Sequence, residues 1–553
     1  MGMIYMRSTM ARLLRFAILM ACFLYAGRVL AAGGTCPSGA NYWDASGQQL
    51  VTLSSLGVTG CYYIAANGSD SNSGTSESSP WAHLPGMLTC GGNCAAHTPS
   101  AGEGYVLRGG DTWGGANLGA TWNWGGSATN PIYIGVDPSW SSEGSWARPI
   151  LSCGGTQCAA NGYFLKLSKP YVIVDNLEFT GLQETTTVSP QYLTVCTSNA
   201  TMENIYMHGW SHQNPTQGGN NSQGFAIGCG TNNAGDTVRY SVIDGSDTTR
   251  DMFTAMRLAI PNAYGNYMNY LVSGMTGCGD NWHDNIVENG VISYIGLSHQ
   301  DAIYQYGPCY SSTVFMYNNV VRNYTFAGSG GAVKFWMSGN NANTATGYAY
   351  NNVIYNVLPG NIVDVGGHFA VPYGTWYFFN NTVECGTDSN PGGCLIGDNG
   401  NTGGSMTLHL SDNHWITTGS ILSCTKTYVC TEANDVLQTV SQAKSQGYSD
   451  ASAYAFQPTS ASGSTVTSIA NAAAVSTRQS LCTTIGIIDS RAGAACQSDT
   501  SYACTYDTTN HTMRCPARQT VARAAEPNVG AYQFSSVEAS TPNPPAGLTV
   551  SVQ

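Results

Sequence analysis

NNVVRNY (318–324), NNVIYNV (351–357) and NNTVECG (380–386) are one phrase written three times, at separations of 33 and 29 residues. Each copy opens on two asparagines and runs into a pair of β-branched residues. Related segments extend upstream as VDNLEFTG (174–181), MENIYMHG (202–209), RYSVIDG (239–245), MNYLVSG (268–274) and NGVISYI (289–295), and downstream as DNHWITT (412–418). Aligned, they give a column of Asn176, Asn204, Ser241, Asn269, Gly290, Asn319, Asn352, Asn381 and Asn413, spaced 21 to 37 residues apart. A propeller blade needs about 40–45 residues and several hairpins. One coil of a solenoid fits better, with short strands of constant length and turns that vary. Stacked coil on coil, the Asn amides can hydrogen-bond up the stack while the following Val and Ile bury against the coils above and below.

A second strand column precedes the first in each coil: QGFAIG (223–228), QDAIYQ (300–305), GGAVKF (330–335), HFAVPY (368–373) and GGCLIG (392–397). Its aligned pairs are Ala226-Ile227, Ala302-Ile303, Ala332-Val333, Ala370-Val371 and Cys394-Leu395. Two strand columns per coil predict an all-β fold, a right-handed single-stranded parallel β-helix of about ten coils with disulfide-bonded loops. Helical periodicity is nearly confined to Glu432–Gln446 (EANDVLQTVSQAKSQ).

The rest of the chain is consistent with export. Arg7, Arg12 and Arg15 precede the apolar run FAILMACFLYAG (16–27) and small residues at Ala31 and Ala32, the layout of a secretory signal peptide. That run is short for a membrane span, so no membrane span is expected. Of 19 cysteines, Cys22 lies in this leader and 18 remain, many close together: Cys90/Cys94, Cys153/Cys158, Cys385/Cys394, Cys424/Cys430 and Cys504/Cys515. In an exported chain such spacings favour disulfides over zinc. Only 9% of residues are charged and the net charge is −12, which excludes the basic stripe that a nucleic-acid partner calls for. The expected organisation is a leader over 1–31, an N-terminal cap and first coils over 32–165, a central β-helix over 166–425, C-terminal coils with a short helix over 426–535, and a Pro/Ser/Thr tail over 536–553.

Other segments carry a family likeness. YYIAANGSDSNSGTSESSPWAHL (62–84), YVLRGGDTW (105–113), NPIYIGV (130–136), RPIL (148–151) and the closing AEPNVGAYQF (525–534) resemble the secreted right-handed parallel β-helix, pectate-lyase-like repeat proteins of bacteria. The chain departs from them at Pro85-Gly86, where relatives run an amphipathic capping helix. The resemblance implies a long sugar lying along one face of the helix across several coils. Carboxylates on neighbouring coils then fall near the ~5–5.5 Å of retaining glycosidases, and two coils apart near the ~6.5–9.5 Å of inverting ones.

The densest polar stretch is DNWHDNIVENGVISYIGLSHQDAIYQ (280–305). Asp301, Lys334, His299, Asp364 and His368 are the candidate acids, bases and metal ligands, and Trp336, Tyr304, Trp282, Glu288 and Asp284 the candidate substrate contacts. Lys334 is conspicuous because the chain has five lysines, the others being Lys166, Lys169, Lys426 and Lys444. The same Asp and His types also cap turns, which is the plainer reading of each residue taken singly. His208 and His212 have metal-like spacing but follow a strand, and Asp70 in NGSDSNSGT reads as a turn and not a calcium loop. The expected activity is binding and cleavage of an extracellular polysaccharide, by a lyase with calcium or another cation at a uronate carboxylate, or by a hydrolase with paired carboxylates. The alternative is a non-catalytic adhesin or matrix protein. Cleaving enzyme and scaffold differ in whether the polar groups of 280–370 converge on a groove or are satisfied by their own turns.

Overall fold

The computed structural model describes residues 33–36, 42–44, 49–156, 162–184, 191–212, 226–227, 233–247, 254–271, 273–290, 302–305, 309–324, 335–337, 345–357, 360–365, 374–387, 390–391, 394–397, 406–417, 421–423, 429–450, 455–468, 472–500, 504–515, 520–523 and 528–534. One coil shows the plan. Thr313–Tyr317 lies in a first sheet, Asn318 and Asn319 turn the chain, Val320–Tyr324 lies in a second sheet, and Phe335–Met337 lies in a third. The next coil starts at Thr346–Tyr350, paired in parallel with Thr313–Tyr317. Repeated along the chain, this gives a right-handed parallel β-helix, with thirteen strands in the first sheet and eleven in the third among the described residues. The stack is taller than ten coils because Gly60–Ile64, Glu103–Gly109 and Ile132–Ser141 also join the first sheet.

The double Asn of the repeat resolves into two columns with different work. The first residue of each pair takes a left-handed backbone: Asn176, Asn204, Asp284, Asn318, Asn351, Asn380, Asp412 and Asn434 have φ between 51° and 58°. That conformation is strained for most L-residues, and Asn and Asp tolerate it best after Gly. The second residue forms the ladder. Side-chain amides run Asn266 to Asn285 (2.9 Å), to Asn319 (3.0 Å), to Asn352 (3.0 Å), to Asn381 (2.9 Å), to Asn413 (3.0 Å) and finally to the carboxylate of Asp435 (3.2 Å). Asn319, Asn352, Asn381 and Asn413 are therefore ladder residues as expected. Asn176 and Asn204 belong instead to the left-handed column, and the coil aligned on Gly290 enters the ladder through Asn285. Asn269 belongs to a second ladder at the far end of the second sheet, Asp244–Asn269–Asn289–Asn323–Asn356, with steps of 2.9, 2.8, 3.1 and 2.7 Å.

Inward-facing rows close the core. Trp282, Met316, Ala349, Phe378 and Leu410 stack within the first sheet, and Val287, Val321, Ile354, Val383 and Trp415 within the second, nearly all excluded from solvent. The outward faces of these two sheets are covered by the chain itself. Tyr448, Phe456, Met513 and Tyr532 pack on Tyr267, Val320, Val353 and Tyr355 of the second sheet. Cys482, Ile485, Ala492 and Cys496 pack on Phe315, Tyr317, Tyr348, Tyr350 and Phe379 of the first.

The helical content differs from expectation. Within Glu432–Gln446 only Val440–Ser445 is helical, opened by a Thr439/Gln442 capping box, and Val429–Ala433 and Val436–Gln438 are strands. The helices Ala472–Ile488 and Ser490–Cys496, which cover the first sheet, gave no clear periodic signal. At the N-terminal end the capping helix is the five-residue Gly92–Ala96, which accords with Pro85-Gly86. Every cysteine whose side chain is described is disulfide-bonded, including Cys36–Cys61, Cys90–Cys94, Cys278–Cys309, Cys482–Cys496 and Cys504–Cys515. No helix of the described residues is long and apolar enough to cross a membrane.

Candidate functional site

The third sheet has two inward rows flanking one outward row. Met275, Ile303, Leu165 and Leu193 belong to the core, as do Leu167 and Val195 two residues on. Between them, parallel register carries a single row from coil to coil: Thr121, Lys166, Thr194, Ala226, Arg257, Thr276, Tyr304, Trp336, Asp364, Gly397 and Ser423. Tyr304 is 4% exposed yet belongs to none of the apolar clusters. Lys166 holds its ammonium over the ring of Tyr163 (5.7 Å), whose hydroxyl meets Thr121 Oγ1 at 2.7 Å. Thr194 Oγ1 donates to Gln191 Oε1 at 2.6 Å. Thr276 Oγ1 is buried without a partner.

The turn between the first and second sheets is held to one left-handed residue and one ladder residue in most coils, so it has no room to vary. Length variation falls on the segments flanking the third sheet: Tyr324 to Phe335 spans more residues than Val357 to Gly360. Loops that differ from coil to coil are what a solenoid uses to build a site.

Three of the predicted site residues meet in this row. Tyr304, Trp336 and Asp364 occupy the same strand position on consecutive coils. Asp301, Lys334, His299 and His368 lie outside the described residues. The strand register differs from the alignment: Ile303 pairs with Phe335, two residues past the aligned Val333, and Phe335 pairs with Val363, ten residues before the Tyr373 that the alignment sets against it. Both shifts are even and keep the face, but they set Trp336 and Asp364, where the alignment set Lys334, in line with Tyr304.

Three other candidates are placed elsewhere. Trp282 is a core residue, fully buried, with Nε1 donating to the Ile260 carbonyl at 2.7 Å, so its ring offers no face to a sugar. Glu288 is on the outward face of the second sheet, where it accepts from the Tyr267 hydroxyl at 2.5 Å and pairs with Arg322. Asp284 is a left-handed turn residue paired with His283 Nδ1 at 2.6 Å. Asp280 is likewise consumed locally: its Oδ1 accepts from the backbone of Cys309 (2.9 Å), Tyr310 and Ser311 (3.3 Å each).

The weaker motifs resolve as structure. Asp70 accepts from the Ala82, His83 and Gly91 amides and pairs with His83 Nδ1 at 2.7 Å, which leaves no lone pair directed at a cation. His208 has one ring nitrogen on Asp247 (2.6 Å) and the other on Glu178 (3.0 Å). Those two carboxylates outweigh its burial and raise its pKa to about 9, so it acts as a fixed cation. Among the described residues no group of three or more His, Cys, Asp or Glu side chains converges to hold a metal ion.

Lys166, Arg257 and Thr276 were missed by sequence reasoning. Thr254–Ala259 and Ser273–Cys278 lack the Ala-Ile phrase by which the third sheet was aligned, and nothing in their spacing marks them as its strands.

No family model and no curated protein matches the sequence. Solved structures with a similar solenoid include a rhamnogalacturonan lyase, 13% identical over 68% of this chain and 87% of its own, with a TM-score of 0.40. A pectate lyase is 18% identical over 68% of this chain and 80% of its own, with a TM-score of 0.37. A GH136 lacto-N-biosidase from Eubacterium ramulus is 13% identical over 69% and 68%, with a TM-score of 0.35. At these identities and scores the likeness is one of fold.

Proposed function

We propose that this protein is exported through its N-terminal leader and grips a polysaccharide along the outward row of its third sheet, where it cleaves the chain. The observation that carries the reading is the allocation of faces. The C-terminal segment packs on the outward faces of the first and second sheets, whereas the third carries Lys166, Arg257, Tyr304, Trp336 and Asp364 at one strand position along its coils. A straight row of ionic, hydroxyl and aromatic positions matches the repeat of a linear glycan. Asp364 is the proposed acid or base, Trp336 and Tyr304 the aromatic contacts, and Asp301, Lys334, His299 and His368 the further catalytic candidates from the segments beside the third sheet. Either proton abstraction next to a uronate or hydrolysis by paired carboxylates is chemistry that this set can supply.

The test is incubation with a panel of polysaccharides, reading both reducing ends and the absorbance of unsaturated uronate. Asp364→Asn is expected to lower turnover at least ~100-fold with an unchanged melting temperature. Asp364→Asn at wild-type rate moves the chemistry elsewhere on the helix. A second reading, binding without cleavage, is favoured by Asp280 and Asp284, which serve their own turns. Glycan affinity with no product from any substrate selects it.

A further inference from the structure

The two ends of the coil stack are finished differently. At the N-terminal end the first rung, Gly60–Ile64, turns Tyr62 and Ile64 into the core, where Trp81, Leu84 and Met87 join them out of solvent. Trp81 stacks on Tyr62 at 4.7 Å and forms a β-bridge with Ile64. Gly34 bridges Cys61 of the same rung, fastened by the Cys36–Cys61 disulfide. That edge is capped.

At the other end the first, second and third sheets stop within one coil among the described residues, on Val429–Ala433, Val436–Gln438 and Leu422–Ser423. Register carries the core rows onto this last coil, since Trp415 pairs with Leu437 and Leu410 with Glu432. Leu437 thus continues the row of Val383 and Trp415, both fully buried, yet it is 55% exposed. Glu432 continues the row of Phe378 and Leu410 and is exposed too, a charge in a core position. Its field reaches the end of the Asn ladder: burial first, and the Glu432 charge after it, push the Asp435 carboxyl up to about 7. The helix Val440–Ser445 that follows sets Ala443 against the outward face of the second sheet.

An unpaired sheet edge backed by an apolar core is a template for another chain, and a charge pointed inward is one means of keeping that chain off. The N-terminal cap blocks head-to-tail stacking, so a second copy can meet this end only with its own, about a two-fold axis. In that arrangement the two Val429–Ala433 edges run antiparallel, and both Glu432 carboxylates enter one dry core. Like charges buried together without partners oppose the contact. We infer that the C-terminal end of the stack is a surface for a second copy of this chain, and that Glu432 is the residue that keeps the copies apart. An apolar residue at 432 would complete the core row and let Leu437 bury in both copies. The inference stands independently of the polysaccharide reading.

The experiment is sedimentation velocity on the full chain over a concentration series. Wild type is expected to remain a monomer, whereas Glu432→Val should form a dimer, self-associating at least about tenfold more tightly. Adding Leu437→Ser to Glu432→Val should restore the monomer. Glu432→Lys alone should also stay monomeric, because like charges still meet. Mixed in equal amounts with wild type, it should form a mixed dimer. This charge swap keeps the test decisive if the apolar variant folds poorly, and melting curves check every variant. Four outcomes overturn the inference: a dimeric wild type, a folded Glu432→Val that stays monomeric, one that grows beyond a dimer, and a charge-swapped mixture that does not associate.

Discussion

Asn352 shows how completely a ladder residue is used. Its amide donates to the Met316 carbonyl (2.9 Å) and to Asn381 Oδ1 (2.9 Å), and its own Oδ1 accepts from the Asn319 amide nitrogens of backbone and side chain (3.0 Å each). Leu at this position keeps the volume but strands groups above, below and beside it in a dry interior. Asn352→Leu should lower stability by about 1–3 kcal/mol or more, read as a drop in denaturant midpoint, and an unchanged midpoint would remove the ladder from the account of stability. Asp435 ends the same ladder for a chemical reason. It accepts from the Asn413 backbone (2.8 Å), the Asn413 side chain (3.2 Å) and Trp415 Nε1 (2.7 Å), but a carboxylate has no amide proton to pass to another coil. Burial pushes its pKa up to about 7 despite those donors. A carboxyl raised above its unfolded value of about 4 withdraws stability as pH climbs from about 4 through 7. Asp435→Asn should therefore match wild type only near pH 4 and below, and melt higher than wild type at pH 8. Equal melting at both pH values would mean that Asp435 is not held out of water. The sequence showed the Asn repeat plainly, but adjacent Asn residues with opposite duties, turn and ladder, are indistinguishable in a one-dimensional alignment. Only φ separates Asn318 from Asn319.

At the level of elements, the strands that turn directly into one another were legible and those separated by variable segments were not. The first and second sheets are joined by a fixed two-residue turn, so their phase is written in the sequence. The third sheet is reached through segments of changing length, and its alignment was off by two residues at Phe335 and by ten at Val363, while Thr254–Ala259 and Ser273–Cys278 escaped notice. Face survives an even slip and position does not, so Tyr304, Trp336 and Asp364 share one strand position that the alignment did not give them, while Trp282 faces the core of the first sheet and Glu288 the outer side of the second. The helix Ala472–Ile488 escaped for a different reason: its small and β-branched residues (AAAVSTRQSLCTTIGII) give little amphipathic contrast. That helix carries an anomaly. Arg478 is 3% exposed, its three guanidinium nitrogens have no hydrogen-bond partner, and burial lowers its pKa against the pull of Asp412. A buried charge without contacts is destabilising, and an apolar residue of similar length removes the penalty. Arg478→Met should raise the melting temperature, by the equivalent of about 1–3 kcal/mol. A fall instead would show that the guanidinium makes a pairing with Asp412 in solution.

Across the whole molecule, low charge density leaves a few buried ionisable groups to set the response to pH. Burial and the neighbouring Glu203 raise Asp175 to about 8, burial raises Asp236 to about 8, and burial raises Asp412 to about 6, alongside Asp435 at about 7. Each binds its proton more tightly folded than unfolded, so each contributes most below about pH 4 and loses that contribution on the way up through its folded pKa. His208, raised to about 9 by Asp247 and Glu178, acts in the same direction, since its charged form is the one the fold holds. His414 opposes them: burial lowers it to about 4, and the fold loses stability as the pH falls from about 6.5 toward that value. Glu103, held low by His97, Tyr105 and Ser100 against its burial, and Asp247, held low by His208, lose their contributions only in stronger acid. Five groups against one decide the sign over the middle of the range. Stability should peak in acid near pH 4 and fall by several degrees in melting temperature between pH 5 and pH 8. Because Asp236 spends its carboxylate only on the Ala200 amide (2.8 Å) and the Asn233 side chain (3.0 Å), Asp236→Asn should flatten part of that slope without opening a site. A melting temperature that rises from pH 5 to pH 8 would mean that these carboxyl groups reach water in the folded chain, and that the β-helix interior is wetter along the Asp175 and Asp236 coils than their packing indicates.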